Sequence, residues 1–147
     1  MASPSSSFSF NDLLLGTDLV EVSRLKKAFS CYGQVFFAKM LTPLEMEHCF
    51  TAATKESVSI QRAAGRIAVK EAVSKALGSG LNGLGWGKGV DWREIEVVSG
   101  HQQPPRLKLH AGAQALAEEM QVRDWRISLS HDGQYAIATV IGLIQRN

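Results

Sequence analysis

The sequence predicts an α+β domain in which an antiparallel sheet packs against one long central helix. Three observations predict it. The segment running into Ala64–Gly80 is apolar on two sides at helical spacing, the mark of a helix with neighbours on both flanks. Near the end, an alternating segment and an apolar one are joined by Asp132-Gly133, as in an antiparallel hairpin. A strand-like run also opens the chain, so strands stand at both ends with helices between them rather than in repeating βαβ units. At 147 residues the chain suits one domain with a real core.

Composition narrows the function classes. Hydrophobic content of 45% and charged content of 20% are ordinary for a globular protein in water. A formal net charge of +2 is too small to argue for nucleic acid, while leaving room for a local basic patch facing phosphates or an acidic protein. No stretch approaches the ~20 apolar residues of a membrane span, so no membrane partner is expected. Cys31 and Cys49 lack metal-ligand spacing and read as reduced thiols of a cytoplasm-like compartment. The opening MASPSSSFSF is Ser-rich, without the charged start and long apolar run of a secretory signal. Residues 1–10 read as a disordered extension, and 11–147 as a single domain.

Taken in order, Leu13–Val22 reads as a strand, apolar and then β-branched, interrupted by Asp18. That acid is either liganded or the beginning of a helix cap. Glu21–Tyr32 reads as a short helix stopped by Gly33, made basic by Arg24, Lys26 and Lys27. Thr42-Pro43-Leu44-Glu45 is a capping box with proline in the first turn, and its helix is expected to reach about Ala53. After a polar break at Thr54–Ser57 the long helix starts near Ser57 or Val58 and ends at Leu77. A glycine-rich loop follows Gly80, without a GxGxxG or Walker pattern. Ile95–Val98 and Leu107–Leu109 read as strands around a Ser99–Pro105 turn, and Gly112–Gln121 as a helix. In the final hairpin Trp125, Ile127, Leu129 and His131 share one face, and the nearly continuous apolar run Tyr135–Ile141 suggests a strand covered on both sides. His131, beside the turn on that apolar face, reads as a structural hydrogen-bonding residue more readily than as a catalyst.

The long helix carries the chemistry. Val69, Ala72, Val73, Ala76 and Leu77 form one apolar stripe, Ile60, Ala64 and Ile67 lie nearly opposite, and Arg66, Lys70 and Ser74 make a narrow polar arc. Glu71 and Lys75, one turn apart, fall inside the second apolar arc. They read either as a surface i,i+4 pair worth ~0.2–0.5 kcal/mol or as a carboxylate and ammonium held where water is thin, for a ligand or metal. Gly78-Ser79-Gly80 is either a plain helix stop or flexible backbone that lets a ligand come close.

The pattern as a whole resembles the holo-acyl-carrier-protein synthases, members of the phosphopantetheinyl transferases. Gly16-Thr17-Asp18 with Glu21 and Arg24, then Phe37-x-Lys39-x-Leu41-Thr42-x-x-Glu45, look like the family's opening. Gly65-Arg66-x-Ala68-x-Lys70-Glu71-Ala72-x-x-Lys75-Ala76-Leu77-Gly78 is similar to its central motif, and Ile95-Glu96-Val97 and Ser128-x-Ser130-His131 follow in the family's order. The chain departs from the family at Ile67, usually aromatic, at Lys39, usually arginine, and at Gln103-Pro104-Pro105, usually Gly-x-Pro. The resemblance implies Mg²⁺-dependent transfer of 4′-phosphopantetheine from coenzyme A to a serine of apo-acyl carrier protein, within a phosphopantetheinyl transferase-like α+β fold. It implies metal ligands at Asp18 and Glu71 and catalytic roles for Glu71 and Lys75, with Lys75 at the pyrophosphate. The serine proton then goes either to Glu71 or to a water on the metal. By the same resemblance Arg66, Gly78-Ser79-Gly80 and Ser130-His131 surround coenzyme A. The basic helix bearing Arg24, Lys26 and Lys27 docks the carrier protein, and the assembly is a cytoplasmic homotrimer with sites at subunit interfaces. Two other classes remain as alternatives: a non-catalytic module binding a phosphate ligand or acidic protein, and a Mg²⁺-dependent phosphohydrolase.

Overall fold

A computed structural model describes residues 7–81, 89–100 and 102–146. Most of the glycine-rich loop expected after Gly80 therefore lies outside the described residues. The fold is α+β: β1 (Leu13–Glu21), β4 (Val122–His131) and β5 (Tyr135–Ile144) form an antiparallel sheet in the order β1-β5-β4. A second antiparallel pair joins β2 (Ile95–Val98) to β3 (Arg106–Leu109). The helices are α1 (Val22–Tyr32), α2 (Gln34–Ala38), α3 (Pro43–Cys49), α4 (Glu56–Leu77) and α5 (Ala111–Glu119).

The long helix α4 is central, as its two-sided apolar pattern implies. From Ser59 to Leu77 every residue is buried except Gln61, Arg62, Glu71 and Lys75. It ends where expected, with Gly78 in the left-handed region at φ +69°. Its polar arc is buried as well, and this the periodicity did not indicate. Lys70 is fully buried and pairs with the carboxylate of Glu45 at 2.8 Å. Glu45 is the third residue of α3 and closes the capping box that starts it, so one carboxylate caps a helix and neutralises a core lysine.

The inner face of the sheet lies on α4. Along β1 the even-numbered residues Leu14, Gly16, Asp18 and Val20 share that face. At Gly16 the two backbones nearly touch, since a Cβ there would come within 1.9 Å of the Ala72 carbonyl oxygen. This contact sets the register of β1 on α4 and delivers Asp18 beside Glu71 and Lys75 on the same turns of the helix.

Several boundaries differ from expectation. α3 stops at Cys49 rather than Ala53, because Phe50 leaves the helix to stack on Phe29 (ring centroids 6.0 Å apart) and to contact Phe37 at 5.2 Å. α2 was not expected; it follows directly from Gly33, whose φ of +63° lets the chain turn sharply and bury Phe37. The final turn sits one residue later than Asp132-Gly133: the Asp132 N–H donates to the Tyr135 carbonyl, leaving Gly133 and Gln134 at its centre. β5 is covered on one side only within a single chain. Ile137, Ile141 and Leu143 face outward beside Leu15 and Leu19 of β1, which are 68% and 59% exposed.

Candidate active site

Asp18 on β1 and Glu71 and Lys75 on α4, far apart in sequence, meet where the sheet leans on the helix. Lys75 Nζ lies 2.7 Å from Asp18 Oδ1 and donates to the Thr17 carbonyl at 3.1 Å. Its side chain is 57% exposed, so it is a surface ammonium anchored at its tip. Lys75 turns to the acid on the neighbouring strand instead of forming an i,i+4 pair with Glu71. The second oxygen of Asp18, Oδ2, is buried with no hydrogen-bond partner in the protein.

Glu71 is half-buried. Burial, followed by the close approach and charge of the adjacent Asp18 carboxyl, raises its pKa to about 8, against the pull of Lys75 and Arg24. Two carboxyl groups facing each other in a half-dry site carry an unmet demand for positive charge. Lys75 meets part of it. An orphaned carboxylate oxygen beside a carboxyl held up near neutral pH is a donor set that suits a hard divalent cation. Among the described residues no group of three His, Cys, Asp or Glu side chains is gathered for a metal. Mg²⁺ usually takes one or two carboxylates and fills its remaining positions with water and substrate phosphate, so a pair of acids suffices.

Glu71 opens onto a cavity of about 380 Å³ walled by Leu19, Phe36, Met40, Ile67 and Trp92, with Arg24 at its rim. Arg24, Lys26 and Lys27 are all exposed on α1; Lys26 instead borders a smaller pocket beside the Gly133–Tyr135 turn. Gly78, Ser79 and Gly80 follow Lys75 at the end of α4. Gly80 has φ +68°, and the Ser79 hydroxyl is buried without a partner.

The remaining residues singled out from sequence lie elsewhere. Arg66 is buried on another side of α4, where it donates to the Arg62 carbonyl and the Ser99 hydroxyl, each at 3.1 Å, and its Nε has no partner. It lines a separate cavity of about 240 Å³ with His48, Val98 and Ser99. Ser130 sits on the open outer face of the sheet, and His131 is exposed at the end of β4 rather than bonded in the apolar layer. One chain thus brings Asp18, Glu71, Lys75 and Arg24 together and holds Arg66, Ser130 and His131 apart from them. Sequence reasoning missed Lys70 with Glu45, and the walls Phe36, Met40 and Trp92. A lysine flanked by Ile67 and Val73 one turn away on either side was the available signal for a buried ammonium.

Comparisons with known proteins give the family. The family model described as the 4′-phosphopantetheinyl transferase superfamily matches residues 14–140. A holo-[acyl-carrier-protein] synthase of Herpetosiphon aurantiacus is 44% identical over 132 residues, covering 89% of this chain and 98% of the relative. One from Gloeobacter violaceus is 39% identical over 126 residues, covering 86% and 89%. Among solved structures, the Bacillus anthracis holo-(acyl-carrier-protein) synthase in complex with CoA (3′,5′-ADP) superposes with a TM-score of 0.70 at 28% identity, covering 90% of this chain and 96% of that one. The Helicobacter pylori enzyme in complex with coenzyme A gives 0.68 at 26% identity, covering 88% and 99%. Matched along nearly its whole length by sequence and by fold, the chain belongs to the holo-[acyl-carrier-protein] synthase family of the 4′-phosphopantetheinyl transferase superfamily.

Proposed function

We propose that this enzyme transfers 4′-phosphopantetheine from coenzyme A to a serine of apo-acyl carrier protein with the help of Mg²⁺, releasing adenosine 3′,5′-bisphosphate. The observation that carries the reading is the meeting of Asp18 and Glu71, with one buried oxygen of Asp18 left without a partner. Those two side chains would hold the cation. Bound there, Mg²⁺ would offset charge on the pyrophosphate and on the departing bisphosphate.

The chain's own groups account for the rest. Glu71, the acid that opens onto the acceptor cavity, accepts the proton of the carrier serine hydroxyl in its carboxylate form. The serine oxygen forms a bond to the pantetheine-side phosphorus as the bond from that phosphorus to the bridging oxygen breaks, and the electron pair leaves with the bisphosphate. Lys75, fixed by Asp18 and the Thr17 carbonyl, stands beside the acids to balance that charge. The half-turn Gly78-Ser79-Gly80, adjacent to Lys75 along the chain, offers backbone to which a phosphate can come close. On the opposite side of Glu71, one turn back along α4, the cavity with Ile67 and Arg24 is left for the acceptor. Exposed Arg24, Lys26 and Lys27 present the positive charge that draws an acidic carrier to α1.

A homotrimer with sites shared between subunits is part of the same reading. Two features favour it: the uncovered apolar face of β1 and β5, and the separation of Arg66, Ser130 and His131 from the acids of their own chain. A neighbouring copy on that face would supply the second half of a coenzyme A site. The two free cysteines, one of them exposed, fit a reducing cytoplasm.

The test is to incubate the protein with coenzyme A, MgCl₂ and an apo-acyl carrier protein, and to weigh the carrier. Transfer adds ~340 Da, the mass of the phosphopantetheine group in this phosphoryl transfer. Bisphosphate released with no change in the carrier would identify a hydrolase instead. Coenzyme A bound and left intact would identify a binding module.

A further inference from the structure

We propose that the buried Lys70–Glu45 pair is a positioning device for the acceptor side of the reaction, bracing the two walls of the cavity into which Glu71 opens. The inference rests on the transfer reading above.

Lys70 Nζ points away from solvent to three acceptors on two stretches of chain: Glu45 Oε2 on α3 at 2.8 Å, and on the run into β2 the Trp92 carbonyl at 2.9 Å and the Ile95 carbonyl. An ammonium has three N–H donors, so all are engaged. Trp92 is one wall of the Glu71 cavity. The other wall, Phe36 and Met40, leads directly into Thr42, whose backbone N–H donates to the same Glu45 oxygen at 2.8 Å. Glu45 Oε1 accepts from the Val97 N–H at 2.8 Å, which ties the link to β2. Both walls therefore end on one ion pair, and its lysine immediately precedes Glu71 on the helix.

Stability alone does not account for charge at this place. Two ions removed from water regain little over a well-packed apolar pair of the same volume. An apolar pair, however, could not hold the Thr42 amide and the carbonyls of the Trp92–Ile95 stretch at fixed distance. What the ion pair adds is the spacing of the cavity walls relative to Glu71.

The experiment compares wild type with the double variant E45Q/K70M, which removes both charges together, and with W92A, which removes the braced wall. Folding is followed by circular dichroism and transfer by steady-state kinetics with coenzyme A, MgCl₂ and apo-acyl carrier protein. The expected result for folded double variant is a KM for the carrier raised about tenfold or more, with the KM for coenzyme A within about twofold of wild type. W92A shows the same split, and adding E45Q/K70M to it brings no further rise, because both act through one wall. A merely structural pair would lower the melting temperature and the active fraction and leave both KM values in place; that outcome overturns the proposal. So does a wild-type carrier KM in W92A, which decides the matter even where the double variant fails to fold. Wild type that modifies no carrier at all would instead sink the transfer reading on which the inference stands.

Discussion

At the scale of single residues, the site is defined by side chains that do not suit their places unless something binds there. Glu71 is the clearest. With its folded pKa near 8 and an ordinary unfolded value near 4.5, the metal-free native state holds a proton that the unfolded state gives up. Stability is therefore fullest below about pH 4.5, falls as the pH rises through about 8, and then levels off. For a half-buried group the loss amounts to about 1–2 kcal/mol once solvent screening is allowed for. Urea denaturation of the metal-free protein at pH 5.5 and pH 8.5 measures it, and Glu71→Gln removes the difference. An unchanged pH slope in that variant would place the titration elsewhere. Asp18 and Glu71 were legible as misfits from sequence alone, one in an apolar strand and one in an apolar helical arc. Their partnership was not, because pattern within one element says nothing about the element across from it; there the family resemblance supplied what periodicity could not. Lys75 was likewise legible as a charge near the site, while its choice of Asp18 over Glu71 depends on the strand that packs beside it.

Among elements, the contact of β1 with α4 decides whether the site exists. Gly16→Ala would push a methyl group into the Ala72 carbonyl, where the two backbones leave no room. The expected cost is about 3 kcal/mol or more, read as a shift in the urea midpoint. Whatever folds should have lost transfer activity, since Asp18 two residues on moves with the strand. A variant of normal stability and activity would mean that β1 and α4 are not held together here. The elements most legible in sequence were those with long periodic patterns or sharp stops: α4 with its Gly78 cap, α3 with its capping box, and the β4–β5 hairpin. α2 was not, because five residues containing Phe36 and Phe37 show no period. The end of α3 was overrun because Phe50 obeys its aromatic neighbours and not the helix. Lys70 and Glu45 each looked like ordinary helix residues, and only packing reveals the bond between them.

For the whole molecule, the sheet is finished on one side only. Reading β5 as covered on both sides was at odds with a single chain, in which Leu15, Leu19, Ile137 and Ile141 face outward. A second copy on that face would reconcile the two. Replacing Leu19 and Ile137, which are cross-strand neighbours, with glutamate puts two like charges in the middle of the face. On the shared-site proposal, sedimentation should give trimer for wild type and monomer for this variant. Turnover should fall with the loss of trimer if Arg66, Ser130 and His131 serve the site of a neighbour. A monomeric wild type with full activity would refute the shared-site reading.

The proposed chemistry depends most on Asp18 and Glu71 gripping one divalent cation between them. Calorimetric titration of MgCl₂ into the protein, in the presence of adenosine 3′,5′-bisphosphate and at pH 8, tests this without requiring turnover. The predicted result is one ion bound per chain in wild type, with heat lost in both Asp18→Asn and Glu71→Gln while each variant keeps its native circular dichroism. Undiminished Mg²⁺ binding by folded Asp18→Asn or Glu71→Gln would contradict it.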